Sequence, residues 1–269
     1  VAVLGCGSTP GITNVMAQAM TRDLDKVRSL IIYDASDDPT INEDEFLPPF
    51  SVRTMIDEIE MPAPFFEGGK MKFLPPFSRK EMLSFPDPIG TLPATAIIHS
   101  EQATIPGYLK SKGLKEHGFK IVYPEAIRLQ LELLVKMGFG SKEPVKVNGA
   151  SVTPREYLSA LSLKNWTRVK TAPADFEVLR IVVEGASGGR PVRRVWDCEI
   201  RHTQDLSAGA IGVGFSASIA AQLLLTGRTL TAGAAAAPES TLPADAFFKE
   251  MENRGTFRIL ERKSRAEVL

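Results

Sequence analysis

Charge of one sign, cysteine and long apolar runs are all scarce in this chain of 269 residues. Lysine and arginine together number 32, as do aspartate and glutamate, so the formal net charge is zero. A nucleic-acid-binding surface needs a basic excess to compete for phosphates, and the neutral balance argues against one. No apolar run approaches the roughly 18 residues that span a bilayer, so we expect no membrane partner.

The two cysteines, Cys6 and Cys198, are far apart in the sequence, and neither belongs to a Cys-x-x-Cys pair. We therefore expect no disulfide framework, no zinc site and no other metal ligands. A reducing, cytoplasmic location is the default for such a chain. Apolar residues make up 43% and charged residues 24% of the sequence, which is typical of a globular protein with a buried core.

Apolar periodicity predicts helices mixed with strands that tight turns connect. The clearest helices are 12–24, 124–137 and 208–226, and the clearest strands are 27–33, 95–99, 118–123, 176–184 and 193–202. Gly68-Gly69 and the segment 185–190 predict two hairpins, which join antiparallel strands. The sequence therefore predicts an α+β fold with a mixed, largely antiparallel sheet covered by helices.

Two shorter signals concern single sites. Ser78 and Glu81 have the spacing of a capping box, which predicts a short turn at that point. His117 lies between Glu116 and Gly118 in a lysine-rich segment, which indicates a surface position.

The first twenty residues have the outline of a dinucleotide-binding start. A short apolar run, Val1 to Leu4, leads into a glycine-rich loop and a helix. The glycines follow G-x-G-x-x-x-G and not the usual G-x-G-x-x-G, and Pro10 removes one N–H donor from the loop. Asp34, at the end of the next apolar run, occupies the position of a ribose-binding acid. One hypothesis is thus a self-contained nucleotide-binding enzyme that uses Gly5 to Gly11.

The same segment supports a second hypothesis. Residues 6–14, CGSTPGITN, resemble the segment by which saccharopine dehydrogenase-type oxidoreductases leave their N-terminal Rossmann domain and enter a second domain. The likeness continues in order through Phe50-Ser51, 68–70, 85–90, 99–106 and 146–155. The run from Pro238 to Gly255 is most similar to the lysine 6-dehydrogenases.

The resemblance implies an architecture for the chain. We expect the second, C-terminal portion of such an enzyme, without the Rossmann domain, in a fold resembling the C-terminal domain of glyceraldehyde-3-phosphate dehydrogenase. Residues 1–205 would form a substrate-binding and dimerisation domain. Residues 206–269 would form a C-terminal helical segment that packs back on the missing Rossmann domain. A homodimer is the expected assembly.

The resemblance also implies an activity. The family transfers hydride between a nicotinamide and a carbon–nitrogen bond, so we expect NAD or NADP as cofactor and an amino acid, such as one of lysine metabolism, or a polyamine as substrate. The choice between NAD and NADP and the identity of the substrate stay open. A further hypothesis is a non-catalytic dimerising or ligand-binding domain descended from such an enzyme.

His99 and Glu101 are the catalytic candidates. A histidine titrates near neutral pH and can move the proton that accompanies hydride transfer, and the acid can hold its tautomer or meet an ammonium group. The ordinary structural alternative is a histidine that is hydrogen-bonded at a strand edge, with Glu101 in solvent.

Substrate-binding and cofactor-binding candidates lie at three other places. The N-terminus of the first predicted helix, with its N–H groups and small polar side chains, can bind a substrate carboxylate through Ser8, Thr9, Gly11 and Asn14. Arg201 can bind a carboxylate bidentately. The resemblance places Pro10 and Glu239 near the cofactor. The alternatives are an N-cap with a tight turn, an exposed arginine near Asp205, and a helix cap by Glu239.

Overall fold

The computed structural model describes residues 2–41, 46–166, 172–231 and 235–262. The strands are β1 (Ala2–Val3), β2 (Lys26–Asp37), β3 (Ala63–Glu67), β4 (Lys70–Leu74), β5 (Ser78–Ser84), β6 (Thr91–Ala96), β7 (Glu116–Val122), β8 (Val145–Val147), β9 (Ala150–Val152), β10 (Phe176–Ser187), β11 (Arg190–Arg201), β12 (Ala235–Ala236) and β13 (Phe257–Arg262). The helices are α1 (Ile12–Thr21), α2 (Val52–Glu60), α3 (Glu101–Tyr108), α4 (Glu125–Lys136), α5 (Pro154–Trp166), α6 (Ala208–Leu225), α7 (Pro238–Thr241) and α8 (Ala244–Arg254).

Nine of the described strands form one sheet in the order β13-β11-β10-β2-β7-β3-β4, with β6 paired to β7 and β5 paired to β6. Within it β2 and β7 run parallel, and the other described pairs are antiparallel. The predicted α+β fold with a largely antiparallel sheet is confirmed. The predicted resemblance to the C-terminal domain of glyceraldehyde-3-phosphate dehydrogenase stays a prediction.

The two faces of the sheet have different neighbours. Leu179, Ile181 and Val183 of β10 belong to the main core, and α1 and α6 pack against this strand. Phe176 and Val178 alternate with them and belong to a smaller cluster on the opposite side, to which residues of β5 and β6 contribute. The side with α1 and α6 is termed the covered face, and the opposite side is termed the outer face.

Helix α1 is buried along all ten of its residues, between β2 and β10 on one side and α7 and α8 on the other. It ends at Thr21, three residues before the predicted end. It begins after Gly11, which has a φ of 140°. A Cβ at Gly11 would lie 2.0 Å from the carbonyl oxygen of Gly7, so the tight loop before α1 requires glycine there.

Some predictions about single segments are confirmed, and others are wrong. The hairpins at Gly68-Gly69 and at 185–190 are confirmed. The predicted short turn at Ser78 is wrong, because residues 78–84 pair with β6 as a strand. Cross-strand pairing outweighed the capping signal there. The predicted strand 95–99 ends earlier than expected, since β6 stops at Ala96 and His99 lies in the connection to α3.

Helix α6 contradicts the expectation that the chain has no apolar run long enough to span a bilayer. Its 18 residues are long and apolar enough, by length and composition alone, to cross a membrane, so the statement that no such run exists was wrong. Part of α6 is buried against β10, β11 and α8, whereas Val213 and Leu225 are exposed. The absence of a membrane partner stays a prediction.

The C-terminal part of the chain is not helical throughout. Strand β13 pairs with β11 and extends the main sheet, next to helices α6 and α8. The proposed boundary at residue 205 stays a prediction.

Candidate functional site

The loop before α1 and the first turn of that helix bind four carboxylates. Each bond joins a different polar side chain to a different acid: Ser8 Oγ to Glu177 Oε1 at 2.7 Å, Thr9 Oγ1 to Asp34 Oδ2 at 3.0 Å, Thr13 Oγ1 to Glu101 Oε1 at 2.7 Å, and Asn14 Nδ2 to Glu239 Oε2 at 2.8 Å. The four acids, Asp34, Glu101, Glu177 and Glu239, are termed the carboxylate cluster. Five predicted site residues, Ser8, Thr9, Asn14, Glu101 and Glu239, thus lie in one place.

Long-range packing assembles the carboxylate cluster. Asp34 lies near the carboxyl end of β2, and Glu177 is the second residue of β10, both on the covered face. Glu101 is the first residue of α3, and Glu239 lies in α7. The cluster therefore occupies the sheet edge where the parallel strands β2 and β7 end, which is where open α/β sheets bind ligands.

His99 and Glu101 form a hydrogen-bonded pair through His99 Nδ1 and Glu101 Oε2. The imidazole stacks on Phe119 with 3.9 Å between ring centroids. The backbone N–H of His99 donates to Gln102 Oε1 at 2.7 Å. Orientation by a third group is what a general base needs, and this arrangement leaves Nε2 of His99 for a ligand.

Burial and mutual attraction act in opposite directions on this pair. Burial lowers the pKa of His99, but the carboxylates of Glu101, Glu58 and Asp34 together outweigh burial and hold that pKa above its ordinary value. Burial likewise raises the pKa of Glu101, and the charge and hydrogen bond of His99 outweigh it, so this pKa lies below its ordinary value. Both shifts favour an imidazolium–carboxylate pair.

A cavity of 470 Å³ opens beside His99. Its wall is largely apolar, with Met61, Met71 and Phe73, and its polar lining includes His99 and Glu58. Residues of α2, β4 and α3 contribute to it, and His99, which lines it, is bonded to Glu101 of the carboxylate cluster. Its size falls in the range of small-molecule sites.

Three acids of the site have pKa values above their ordinary range, because burial outweighs the interactions that favour their charged forms. Burial raises the pKa of Glu58 to about 7, although Tyr123 Oη donates to Glu58 Oε2 at 2.6 Å. Burial also raises the pKa of Asp34 to about 6 and that of Glu177 to about 8. Oε2 of Glu177 is buried and has no hydrogen-bond partner within the described residues. Such groups favour either a proton or a bound cation.

Backbone N–H groups of the glycine-rich loop donate to acceptors within the loop and the first turn of α1. The N–H of Gly7 donates to the carbonyl of Pro10, that of Ile12 to the carbonyl of Gly7, and that of Gly11 to Asn14 Oδ1. A diphosphate needs free N–H groups and a positive field, whereas this loop is ringed by carboxylates. Gly5 to Gly11 therefore does not fit the diphosphate of a dinucleotide.

Arg201 is not brought to the site. It pairs with Phe176 across β10 and β11, and its guanidinium lies over the Phe176 ring at 4.5 Å, on the outer face. Its ionic partner is Glu199, at 3.8 Å, and not the Asp205 suggested by the sequence. The sheet therefore separates Arg201 from the carboxylate cluster.

Sequence reasoning missed Glu58, Glu177 and Thr13, and it considered Asp34 only as a ribose ligand. The alternation of side chains along β10 could have identified Glu177, because this residue lies on the same face of the strand as the buried Leu179, Ile181 and Val183. The expectation for His117 was wrong for the same reason. Its position in β7 is in phase with the buried Phe119, so it is fully buried, with Nδ1 bonded to the Leu30 carbonyl at 2.8 Å.

Comparison with known proteins gives three findings. Residues 7–256 match the family model described as the saccharopine dehydrogenase C-terminal domain. Carboxyaminopropylagmatine dehydrogenase of Synechocystis sp. is 27% identical over 161 residues, which are 60% of this chain and 39% of that protein. The fold is similar to that of apo saccharopine dehydrogenase (L-Glu forming) from Saccharomyces cerevisiae, with a TM-score of 0.69 and 15% identity over 96% of this chain and 72% of the other. The match to the Synechocystis protein thus spans well under half of its length.

Proposed function

This chain belongs to the saccharopine dehydrogenase C-terminal domain family, and from that premise we propose that it is the substrate-binding and dimerisation portion of an oxidoreductase acting on a carbon–nitrogen bond of an amino acid or polyamine. Its similarity to two dehydrogenases supports the oxidoreductase class. The observation that carries the proposal is the oriented His99–Glu101 pair at the wall of a cavity beside buried carboxylates.

Each part of the site has a proposed role. The imidazolium of His99 donates its Nε2 proton to the reacting nitrogen in the direction of imine reduction and takes it back in amine oxidation, and Glu101 positions the ring through Nδ1. Asp34 and Glu58 stabilise a substrate nitrogen while it is positively charged. Ser8, Thr9 and Asn14 act indirectly, by holding carboxylates in place, and Gly11 allows the loop to close. Arg201 has no proposed part in substrate binding.

NAD or NADP is the proposed cofactor, and hydride transfer is the chemistry that it supplies. Because the loop Gly5 to Gly11 does not fit a diphosphate, we propose that the dinucleotide binds mainly outside this loop. Positions of Pro10 and Glu239 near the nicotinamide stay proposals. A homodimer is likewise proposed on the family resemblance, and a cytoplasmic location on the scarcity of cysteine.

Ligand binding by the 269-residue chain tests the function. Titration calorimetry with lysine, saccharopine and spermidine is expected to show saturable binding of at least one of these amines. The variant His99→Asn should weaken that binding at least about tenfold, because it removes the ring that lines the cavity beside the substrate nitrogen and the group that positions Glu101. The matched control is His202→Asn, which changes an exposed histidine and should bind normally. Failure of all three amines to bind would contradict the proposal, as would an unaffected His99→Asn.

The nucleotide-binding alternative is tested separately. Fluorescence titration with NADH and NADPH should show no tight binding by this chain. Saturable micromolar binding that is lost on replacing Gly7 would favour a self-contained nucleotide-binding enzyme.

A further inference from the structure

A second cavity, of 960 Å³, lies at the edge of the sheet opposite the carboxylate cluster. The start of β2, the segment before β7, the end of β10 and the start of β11 form its walls. Lys26 lines this cavity, and Asp34 lies further along β2 by about 26 Å of extended strand. The cavity is termed the basic groove, and it is separate from the candidate site.

The basic groove has an excess of positive charge. The carboxylates that line it are Asp25 and Glu184. The cations that line it are Lys26, Arg28, Lys112, Lys115 and Arg193. The cations therefore outnumber the carboxylates by three, although the formal net charge of the whole chain is zero. Such a concave concentration of one sign of charge attracts ligands of the opposite sign.

Two of the lysines are not used by the protein itself. The ammonium groups of Lys26 and Lys115 have no hydrogen-bonded or ionic partner among the described residues. Lys112 is different, because its ammonium donates to the carbonyls of Thr21 and Leu24, each at 2.7 Å, at the end of α1. Lys26 and Lys115 can therefore contact a ligand without breaking an existing bond.

The two arginines of the basic groove share one carboxylate. Arg28 pairs with Glu184, and Nε of Arg193 lies 3.6 Å from the same side chain. The other lining acid is also engaged, since Asp25 Oδ2 accepts a bond from the N–H of Gly188 at 2.6 Å. One carboxylate cannot saturate two guanidinium groups, so donors of both arginines are left for a ligand.

The walls of the basic groove are fixed and partly apolar. The N–H of Lys115 donates to the carbonyl of Arg28 at 2.9 Å, which holds the two segments that carry these cations together. Ala186, Pro191 and Val192 give the groove an apolar side. Its volume is about twice the 470 Å³ of the cavity beside His99, so there is room for an organic group as well as an anion.

We propose that the basic groove binds a small organic anion that carries at least three negative charges on a terminal di- or triphosphate, equal to the excess of cations. The phosphates lie among Lys26, Lys115 and Arg193, where ammonium and guanidinium donors meet them. The organic part lies on Pro191 and Val192. This site does not depend on the proposed function, because it shares no lining residue with the cavity beside His99.

Titration calorimetry of the full chain at physiological salt, without divalent cations and with ATP, AMP and adenosine as probes, tests the proposal. ATP should bind at least about tenfold more tightly than AMP, because its consecutive phosphates reach more of the cations, and adenosine should not bind. The double variant Lys26→Gln/Lys115→Gln should weaken ATP at least about fivefold. The matched control, Lys142→Gln/Lys146→Gln, removes the same charge from exposed lysines elsewhere and should leave ATP binding unchanged.

Glu184→Gln supplies a readout of the opposite sign. It removes one of the lining carboxylates and frees Arg28 and Arg193, so it should tighten ATP by about threefold or more. His99→Asn should leave ATP binding unchanged, because His99 does not line the basic groove.

Three outcomes would overturn the proposal. ATP could fail to bind, or bind no more tightly than AMP. Equal weakening by the two double lysine variants would show a general attraction between charges and no specific site. Loss of ATP binding in His99→Asn, or on replacing Gly7, would place the anion at the other end of the sheet. None of these results affects the binding of amines, which tests the proposed function.

Discussion

Asp197 and Glu177 lie on neighbouring strands and are both almost completely buried, but they face opposite sides of the sheet. On the outer face, Asp197 accepts two bonds from Arg180, at 2.7 and 2.8 Å, and a third from Arg262 at 2.9 Å. On the covered face, Glu177 accepts one bond from Ser8, and its second oxygen has no partner within the described residues. Both carboxylates are therefore buried, and they differ in whether a positively charged side chain pairs with them.

The presence of a counter-charge at Asp197 and its absence at Glu177 indicate different roles for the two faces of the sheet. A buried carboxylate with arginines on both sides is a complete structural unit that ties β10, β11 and β13 together. A buried carboxylate without a cation costs stability, and such groups concentrate where a ligand or a proton completes them. The covered face thus carries the candidate site, whereas on the outer face the charge of Asp197 is already paired with arginines.

The largest expected effect on stability comes from removing an arginine that pairs with Asp197. Arg180→Leu leaves Asp197 buried with only part of its cationic partners and should lower the free energy of unfolding by about 3–5 kcal/mol. Arg193→Leu is the matched control, because Arg193 is half exposed and lies 3.6 Å from Glu184, and its loss should cost less than about 1 kcal/mol. Urea unfolding measures both variants. Equal losses would mean that the Asp197 network is no stronger than a surface ion pair.

The next effect concerns the unpaired region and depends on pH. Burial raises the pKa of Glu177 from 4.5 to about 8, so the folded state binds a proton that the unfolded state has released. Stability should therefore fall as pH rises from about 4.5 to about 8, by about 1.4 kcal/mol for each unit of pKa difference. The pKa values of Asp34 and Glu58 lie at about 6 and 7, so between pH 7 and 8 the decline belongs to Glu177 together with His99, whose pKa is also raised.

Glu177→Gln should make that decline between pH 7 and 8 shallower and leave the part that belongs to His99. The control is Glu199→Gln on the outer face, where the carboxylate pairs with Arg262 at 3.1 Å. This control should reduce stability but leave the slope against pH unchanged. Thermal unfolding across this pH range measures both, and an unaltered slope in Glu177→Gln would show that this acid is not held protonated.

The smallest expected effect on stability comes from replacing two glycines of α6, one close to Glu177 and one in open space. A Cβ at Gly212 would lie 2.9 Å from Ser8 Oγ and 3.2 Å from Glu177 Oε2, whereas a Cβ at Gly214 would meet nothing within 4 Å. Gly214→Ala should therefore gain helix propensity and stabilise by up to about 1 kcal/mol. Gly212→Ala should lose that gain by disturbing the Ser8–Glu177 bond. Equal stabilisation by both would mean that α6 does not press on this pair.

Secondary structure was largely readable from local pattern. The alternation in β10, the glycine pairs at its hairpin and the apolar periodicity of α1 are properties of neighbouring residues, and the structure has these elements at nearly the predicted positions. The exception at Ser78 arose where strand pairing with a distant segment overrode the local signal.

The site was readable only in part. His99 and Glu101 are two residues apart, so their contact was open to prediction from sequence, although their catalytic role stays a prediction. The contacts from Ser8 to Glu177 and from Asn14 to Glu239 span 169 and 225 residues, and no local pattern carries them. Arg201 was a reasonable carboxylate ligand by residue type, and only the pairing of β10 with β11 placed it on the outer face.

The sequence by itself determined the family resemblance, the order of helices and strands, and the glycine that lets the loop close before α1, because each depends on residues close together in the chain. Only the tertiary structure decided which acids would be buried, and which of them would meet an arginine. Charge pairing depends on distances of a few ångströms between segments that are far apart in sequence, and on the exclusion of water around them. That decision brought several acids that lack an arginine partner together in one part of an electrically neutral chain.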